Sequence, residues 1–156
     1  MNELFMPNIK WRRLLHDLWI RSEGTHESGA FLLGFRDHDR RCVAEWVLYD
    51  DYDPASLATG IVTLSGANLG RLWAFCNKKN IEIVADIHTH PKEAFQSRSD
   101  RDNPIVAMAG HLALIVPFFA HPPVTLADIC TYEYLGDKKW RACPIGTLVS
   151  NQTKND

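Results

Sequence analysis

Ile81-Glu82-Ile83-Val84-Ala85-Asp86-Ile87-His88-Thr89-His90-Pro91 reads as a central strand that ends in chemistry. Residues 81–87 are rich in β-branched side chains, which suit a pleated, half-buried surface. Side chains along a strand alternate with period two, so His88 and His90 project from one face at its end. Pro91 has no N–H to give to the ladder and stops the strand just past the second histidine.

Working upstream, Ser65 to Asn80 (SGANLGRLWAFCNKKN) predicts a helix. Ser65 serves as its N-cap, and Leu69, Leu72, Trp73 and Cys76 form its apolar face. Residues 59–64 predict a further short strand, preceded by an acidic loop at Asp50-Asp51-Tyr52-Asp53-Pro54. Arg41–Tyr49 alternates, and with Ala30–Phe35 it makes a hairpin across the charged turn Arg36–Arg40. Residues 8–22 place Trp11, Leu14, Leu15, Leu18 and Trp19 at helical spacing.

Downstream, residues 91–104 read as an irregular polar loop and Leu112–Val116 as a buried strand. Ile129–Leu135 and Lys139–Ala142 form a hairpin across Gly136-Asp137. Strands interleaved with two helices predict a mixed α/β fold with a curved, mostly antiparallel sheet. One domain is expected over residues 1–150, with 151–156 a polar tail.

The bulk numbers agree with a globular protein. Of the 156 residues, 46% are hydrophobic and 23% charged, close to the average for soluble domains. A formal net charge of −2 gives no electrostatic reason to expect nucleic acid or membrane as a partner. No apolar run fits a signal peptide or a membrane span. Cys42, Cys76, Cys130 and Cys143 are widely spaced and form no CxxC pair, so free thiols and a cytoplasmic setting are expected.

The chemistry gathers around the two histidines. Two adjacent imidazoles can each give a nitrogen to one Zn²⁺, and Asp100, ten residues beyond His90, can return an oxygen. Two histidines and a carboxylate leave a fourth tetrahedral position open, as in catalytic and not structural zinc sites. Water activated at such a centre calls for a base. Glu27 suits best, since it stands at the entry to a strand whose glycines allow close backbone approach. Glu23 and Glu45 are weaker rivals. Ser97 could donate a hydrogen bond to an oxyanion, although Ser97 and Ser99 could equally be cap or turn residues. His111, opening a strand, is either structural or a partner behind the metal ligands.

Taken together, Glu27-x-Gly29-x-x-Leu32-x-Gly34, His88-x-His90-Pro91 and Ser97-x-x-Asp100 resemble the JAMM motif of the JAB (MPN-plus) metalloproteases. The resemblance covers roughly residues 8–135. It implies an MPN-like (cytidine deaminase-like) fold and a zinc isopeptidase or peptidase that removes ubiquitin-like proteins from conjugates. It further implies one Zn²⁺ held by His88, His90 and Asp100, with Glu27 as general acid/base and Ser97 as oxyanion donor. Six residues separate His90 from Ser97, one fewer than is usual in eukaryotic members. The long insertions of those members are lacking too, so the chain looks most like compact bacterial forms.

Such forms act beside E1-like and E2-like proteins, some of them in antiphage defence, while others trim ubiquitin-like sulfur carriers. Non-catalytic MPN scaffolds usually lose a ligand or the glutamate, and all five positions are present here. Because tails of ubiquitin-like proteins often carry arginine, Asp50, Asp51 and Asp53 could meet that charge, or equally form a solvated turn with Pro54.

Overall fold

The computed structural model describes residues 3–57 and 69–150. The predicted strand at 59–64 and the Ser65 cap lie outside the described residues. Short strand β1 (Glu3–Phe5) leads into helix α1 (Asn8–Ser22), then strands β2 (Gly29–Asp37) and β3 (Arg40–Leu48). A single helical turn, α2 (Tyr49–Tyr52), and helix α3 (Leu69–Lys79) precede β4 (Glu82–Thr89). Then come the turn α4 (Arg98–Asp102) and β5 (Leu112–Val116), followed by β6 (Cys130–Gly136), β7 (Lys139–Ala142) and β8 (Leu148–Val149).

The eight strands of the described residues join one sheet in the order β7-β6-β5-β4-β2-β3-β1-β8. β2–β3, β2–β4, β5–β6 and β6–β7 are antiparallel, whereas β4–β5, β1–β3 and β1–β8 are parallel. The fold is therefore mixed α/β with a mostly antiparallel sheet. β1 and β8, at one edge, were not foreseen from the sequence.

Each face of the sheet carries its own core. Trp11, Leu14 and Leu18 of α1 pack with Ala30 and Leu32 of β2, while Phe31 and Leu33, pointing the other way, join Leu72 and Cys76 of α3. This is the period-two alternation of a strand buried on both sides. β4 follows the same rule only because of a bulge. Leu32 pairs with Ala85 but Leu33 with Ile83, so Val84 is the extra residue. The bulge turns Ile83, Asp86, His88 and His90 toward the α3 side. Arg41, itself buried, donates to the Val84 carbonyl at 3.0 Å and also to that of Gly110. Burial pulls its pKa down to about 10.

Two readings need correction. The stretch Asp50-Asp51-Tyr52 is the helical turn α2, not a loop, and Tyr49 begins it instead of ending β3. The polar segment 91–104 is likewise not wholly irregular, since it contains α4. Both elements are only four or five residues long, too short for hydrophobic periodicity to register. Cys42, Cys76, Cys130 and Cys143 are free thiols. Among the described residues no helix is long and apolar enough to cross a membrane.

Candidate metal centre

β4 ends at the middle of the sheet, between β2 and β5, with Gly29 opposite His88 on one side and Ile115 on the other. The backbone of His90 is fixed past the strand end. Its N–H donates to Val116 O at 2.8 Å, and its carbonyl accepts from Phe119 N at 2.9 Å. Thr89, on the opposite face, ties this strand to the Glu27 segment. Its N–H donates to Ser28 O at 2.9 Å, and its hydroxyl oxygen accepts from Ser28 N at 2.9 Å.

His88 and His90 are 5% and 8% exposed, so their rings are held by packing and not by solvent. Their Nε2 atoms stand 3.0 Å apart. Asp100 Oδ1 lies 3.3 Å from His88 Nε2, and its Oδ2 lies 3.1 Å from His90 Nε2. Among the described residues these three are the group whose ligand atoms converge as a metal site requires. A tetrahedral ion at about 2.0–2.1 Å from each ligand would need ligand atoms roughly 3.3–3.4 Å apart. The observed separations are within a few tenths of an ångström of that edge. The donor set therefore fits a small divalent cation such as Zn²⁺, with a coordination position left for a fourth group.

Electrostatics favour the same arrangement. Burial alone would raise the Asp100 carboxyl, but hydrogen bonds from His88 and His90 outweigh it and hold the group far below the usual carboxylate range. His88 moves the other way. Burial opposes its protonation, yet the Asp100 hydrogen bond and charge prevail and raise it. Metal-free, Asp100 is thus held as a carboxylate against the two imidazoles.

Glu27 reaches the centre from the α1–β2 connection, with its Oε2 4.0 Å from His90 Nε2. Ser97 caps α4 and stands in the same cavity of about 370 Å³, together with Glu27, His88, His90 and Asp100. All five residues singled out from the sequence thus line one hollow, and Ser99 and Asn103 join them. Glu23 and Glu45 do not line it. A larger cleft of about 630 Å³ opens between α1 and β3, lined by His16, Asp17, Arg21 and Asp51. Size favours that cleft; the converging ligands favour the smaller hollow, and chemistry decides.

The sequence left two participants unmarked. Asp86 sits behind His88, where His111 Nε2 approaches its Oδ2 at 2.6 Å and the Tyr49 hydroxyl its Oδ1 at 3.4 Å. Of the two readings of His111, the structure makes it a partner of Asp86. Burial and the Asp86 charge push the Tyr49 phenol well above its usual range, so it remains an O–H donor. The signal available was the period-two spacing of Asp86, His88 and His90. Asp50 and Asp51, for their part, already have a cation. Arg21 Nη1 lies 2.8 Å from a carboxylate oxygen of each.

No family model matches the chain. It is 28% identical over 131 residues to the protein named "Probable metalloprotease y4jG" of Sinorhizobium fredii, covering 83% of this chain and 81% of the other. Solved structures share the fold at low identity. Protein DSY2949 from Desulfitobacterium hafniense superposes with a TM-score of 0.65 at 13% identity, over 94% of this chain and 91% of that one. A protein from Salinibacter ruber gives 0.54 at 17% identity, over 93% and 90%.

Proposed function

We propose that this chain is a zinc peptidase of the JAMM type that hydrolyses the amide bond joining a ubiquitin-like protein to a conjugate or to its own precursor extension. The likeness to a metalloprotease and the His-His-Asp triad support the coarser reading, a metallopeptidase. The narrower one draws on the spacing of Glu27, His88-x-His90-Pro91 and Ser97-x-x-Asp100. One observation carries it: the two imidazole Nε2 atoms 3.0 Å apart, each 3.1–3.3 Å from an oxygen of the Asp100 carboxylate, with the Glu27 carboxylate 4.0 Å from His90.

A divalent ion held by His88, His90 and Asp100 would supply Lewis acidity, polarising an amide carbonyl and acidifying water. The remaining work belongs to the chain. Glu27 Oε2 lies 4.0 Å from His90 Nε2, so its carboxylate can take a proton from the attacking water and later hand it to the leaving amine. Ser97 accepts a hydrogen bond from Asp100 N through its Oγ, which leaves the hydroxyl proton available to an oxyanion. Walls that keep the imidazoles nearly dry strengthen every charge interaction inside.

The test uses purified protein with matched metal-loaded and chelated samples. Substrates are ubiquitin-like proteins linked to a reporter, either through a lysine side chain or in a linear fusion. Zinc is expected at one ion per chain, and Glu27→Gln is expected to keep the ion and lose turnover. Chelator-resistant cleavage, or wild-type protein that takes up no metal, would sink the reading. Preference for the linear fusion would indicate precursor processing over deconjugation. Partners such as E1-like and E2-like proteins belong to this proposal and are tested by co-purification.

A further inference from the structure

Asp86 stands two residues before His88 on the same face of β4, and the Val84 bulge lies upstream of both. It is 2% exposed. Its carboxylate is gripped from two sides, by His111 on Oδ2 and by the Tyr49 hydroxyl on Oδ1. An ionised carboxylate offers about four lone-pair sites, so acceptor capacity remains.

His88 presents the complementary need. Its Nε2 faces His90 and Asp100, while its Nδ1 is fully buried and meets no hydrogen-bond partner among the described residues. With the Nε2 lone pair given to a metal, the ring proton must sit on Nδ1. A buried N–H without an acceptor is costly. Metal-ligating histidines almost always give this N–H to a carboxylate, a carbonyl or a water.

Both residues line one small cavity of about 20 Å³. Asp86, His88, Gln96, Asp100 and Asn103 are among its polar lining, and Ala113 and Ile115 form part of its apolar wall. One water requires roughly 10–15 Å³ of such space and two to four polar partners. The cavity therefore has room for one molecule and the groups to hold it.

We propose that Asp86 is a positioning residue for the metal centre. One ordered water in this cavity accepts from His88 Nδ1–H and donates to the Asp86 carboxylate, which fixes the tautomer and turns Nε2 to the ion. His111 and Tyr49 keep the Asp86 carboxylate aimed into the cavity. The inference rests on reading His88 as a metal ligand, and not on the identity of the substrate.

The first measurement needs no variant. In zinc-loaded protein labelled with ¹⁵N-histidine, His88 should show a protonated, slowly exchanging Nδ1 with a magnetisation-transfer peak to a bound water. The second compares zinc affinity by chelator competition in wild type, Asp86→Leu and Tyr49→Phe, with the melting temperature of each metal-free protein as control. Asp86→Leu should bind zinc about 10–100-fold more weakly, with faster exchange of the His88 proton. Tyr49→Phe, which removes one grip on Asp86, should lose less. A purely structural Asp86 would lower the melting temperature and leave the His88 resonance where it was. That result, an unprotonated Nδ1, or no water contact in the wild type would overturn the proposal. Should Asp86→Leu not fold, the wild-type spectrum decides. Wild type that binds no zinc would defeat the functional reading and this inference together. Zinc binding without the water contact would defeat this inference alone.

Discussion

Ser97 and Asp100 hold each other across the first turn of α4. Asp100 Oδ2 accepts from Ser97 N at 2.8 Å, and Ser97 Oγ accepts from Asp100 N at 3.1 Å, a reciprocal capping box. The same Asp100 carboxylate also faces both imidazoles. The Ser-x-x-Asp spacing therefore serves two purposes at once, starting a helical turn and aiming a metal ligand. Fixing the carboxylate from behind lowers the entropy lost when it closes on an ion.

Replacing Ser97 separates these purposes. Ser97→Ala removes the cap acceptor and should lower stability by about 0.5–2 kcal/mol, with weaker zinc binding as Asp100 loosens. At saturating zinc the binding defect is offset, and what remains reports the hydroxyl. A kcat loss of about 10²–10³-fold under those conditions would mark an oxyanion donor. A kcat within about threefold of wild type would leave Ser97 as a cap alone, since donor loss is worth far more. Ser97→Thr keeps both functions and is expected to keep most activity.

Gly29 is fixed by contact. A Cβ there would stand 2.3 Å from the Tyr49 ring and 2.6 Å from the Ile87 carbonyl oxygen. Neither neighbour can yield easily, because the ring packs on Phe31 and the carbonyl belongs to β4. Gly29→Ala should destabilise by about 1–3 kcal/mol or more. Since Gly29 pairs with His88, zinc affinity should fall as well. Thermal unfolding with and without zinc checks both, and an unchanged melting temperature would show that the β2–β4 contact relaxes freely.

Much of this site was legible because one rule, period two, placed His88 and His90 together on a strand end. The same rule could have added Asp86. What stayed hidden depends on pairings that no local pattern records. His111 meets Asp86 from 25 residues away, brought there by the parallel β4–β5 register. The Val84 bulge, which sets the face that the histidines use, is visible only against β2. β1 and β8 are three and two residues long, below the length at which alternation is a signal. Glu27 stands at a strand entry in the sequence, and the structure puts it in the hollow with His90.

Asp50 and Asp51 yield a different expectation from their sequence reading. With Arg21 between them, their charge is matched inside the chain, and their hydrogen bonds hold the guanidinium above its ordinary range. Exposed pairs of this kind contribute about 0.2–1 kcal/mol each. Asp50→Asn with Asp51→Asn should therefore lower the melting temperature slightly, more at low salt than at high, by loosening α2 from α1. The KM for a ubiquitin-like substrate should change little. A several-fold KM rise with unchanged melting temperature would return these residues to substrate recognition.

The last prediction concerns pH. In metal-free protein the Asp100 carboxyl is lowered from 3.8 by its two histidine partners, against the effect of burial. A depressed carboxyl contributes stability that is present above its unfolded value and lost as pH falls through the folded one. His88 is raised from 6.5 because Asp100 outweighs burial. Its contribution is complete below 6.5 and is lost as pH rises through the folded value. Metal-free protein should thus be most stable on the mildly acidic side, between those limits. Zinc reverses the upper limb, since binding needs a neutral imidazole and displaces its proton. The gap in melting temperature between zinc-loaded and metal-free protein should widen as pH rises above 6.5 through the folded value of His88, where the imidazole gives up its proton. His88→Ala should abolish both the gap and its pH dependence. Calorimetry across that range measures it, and a gap that stays flat or narrows would break the link between His88 and the metal.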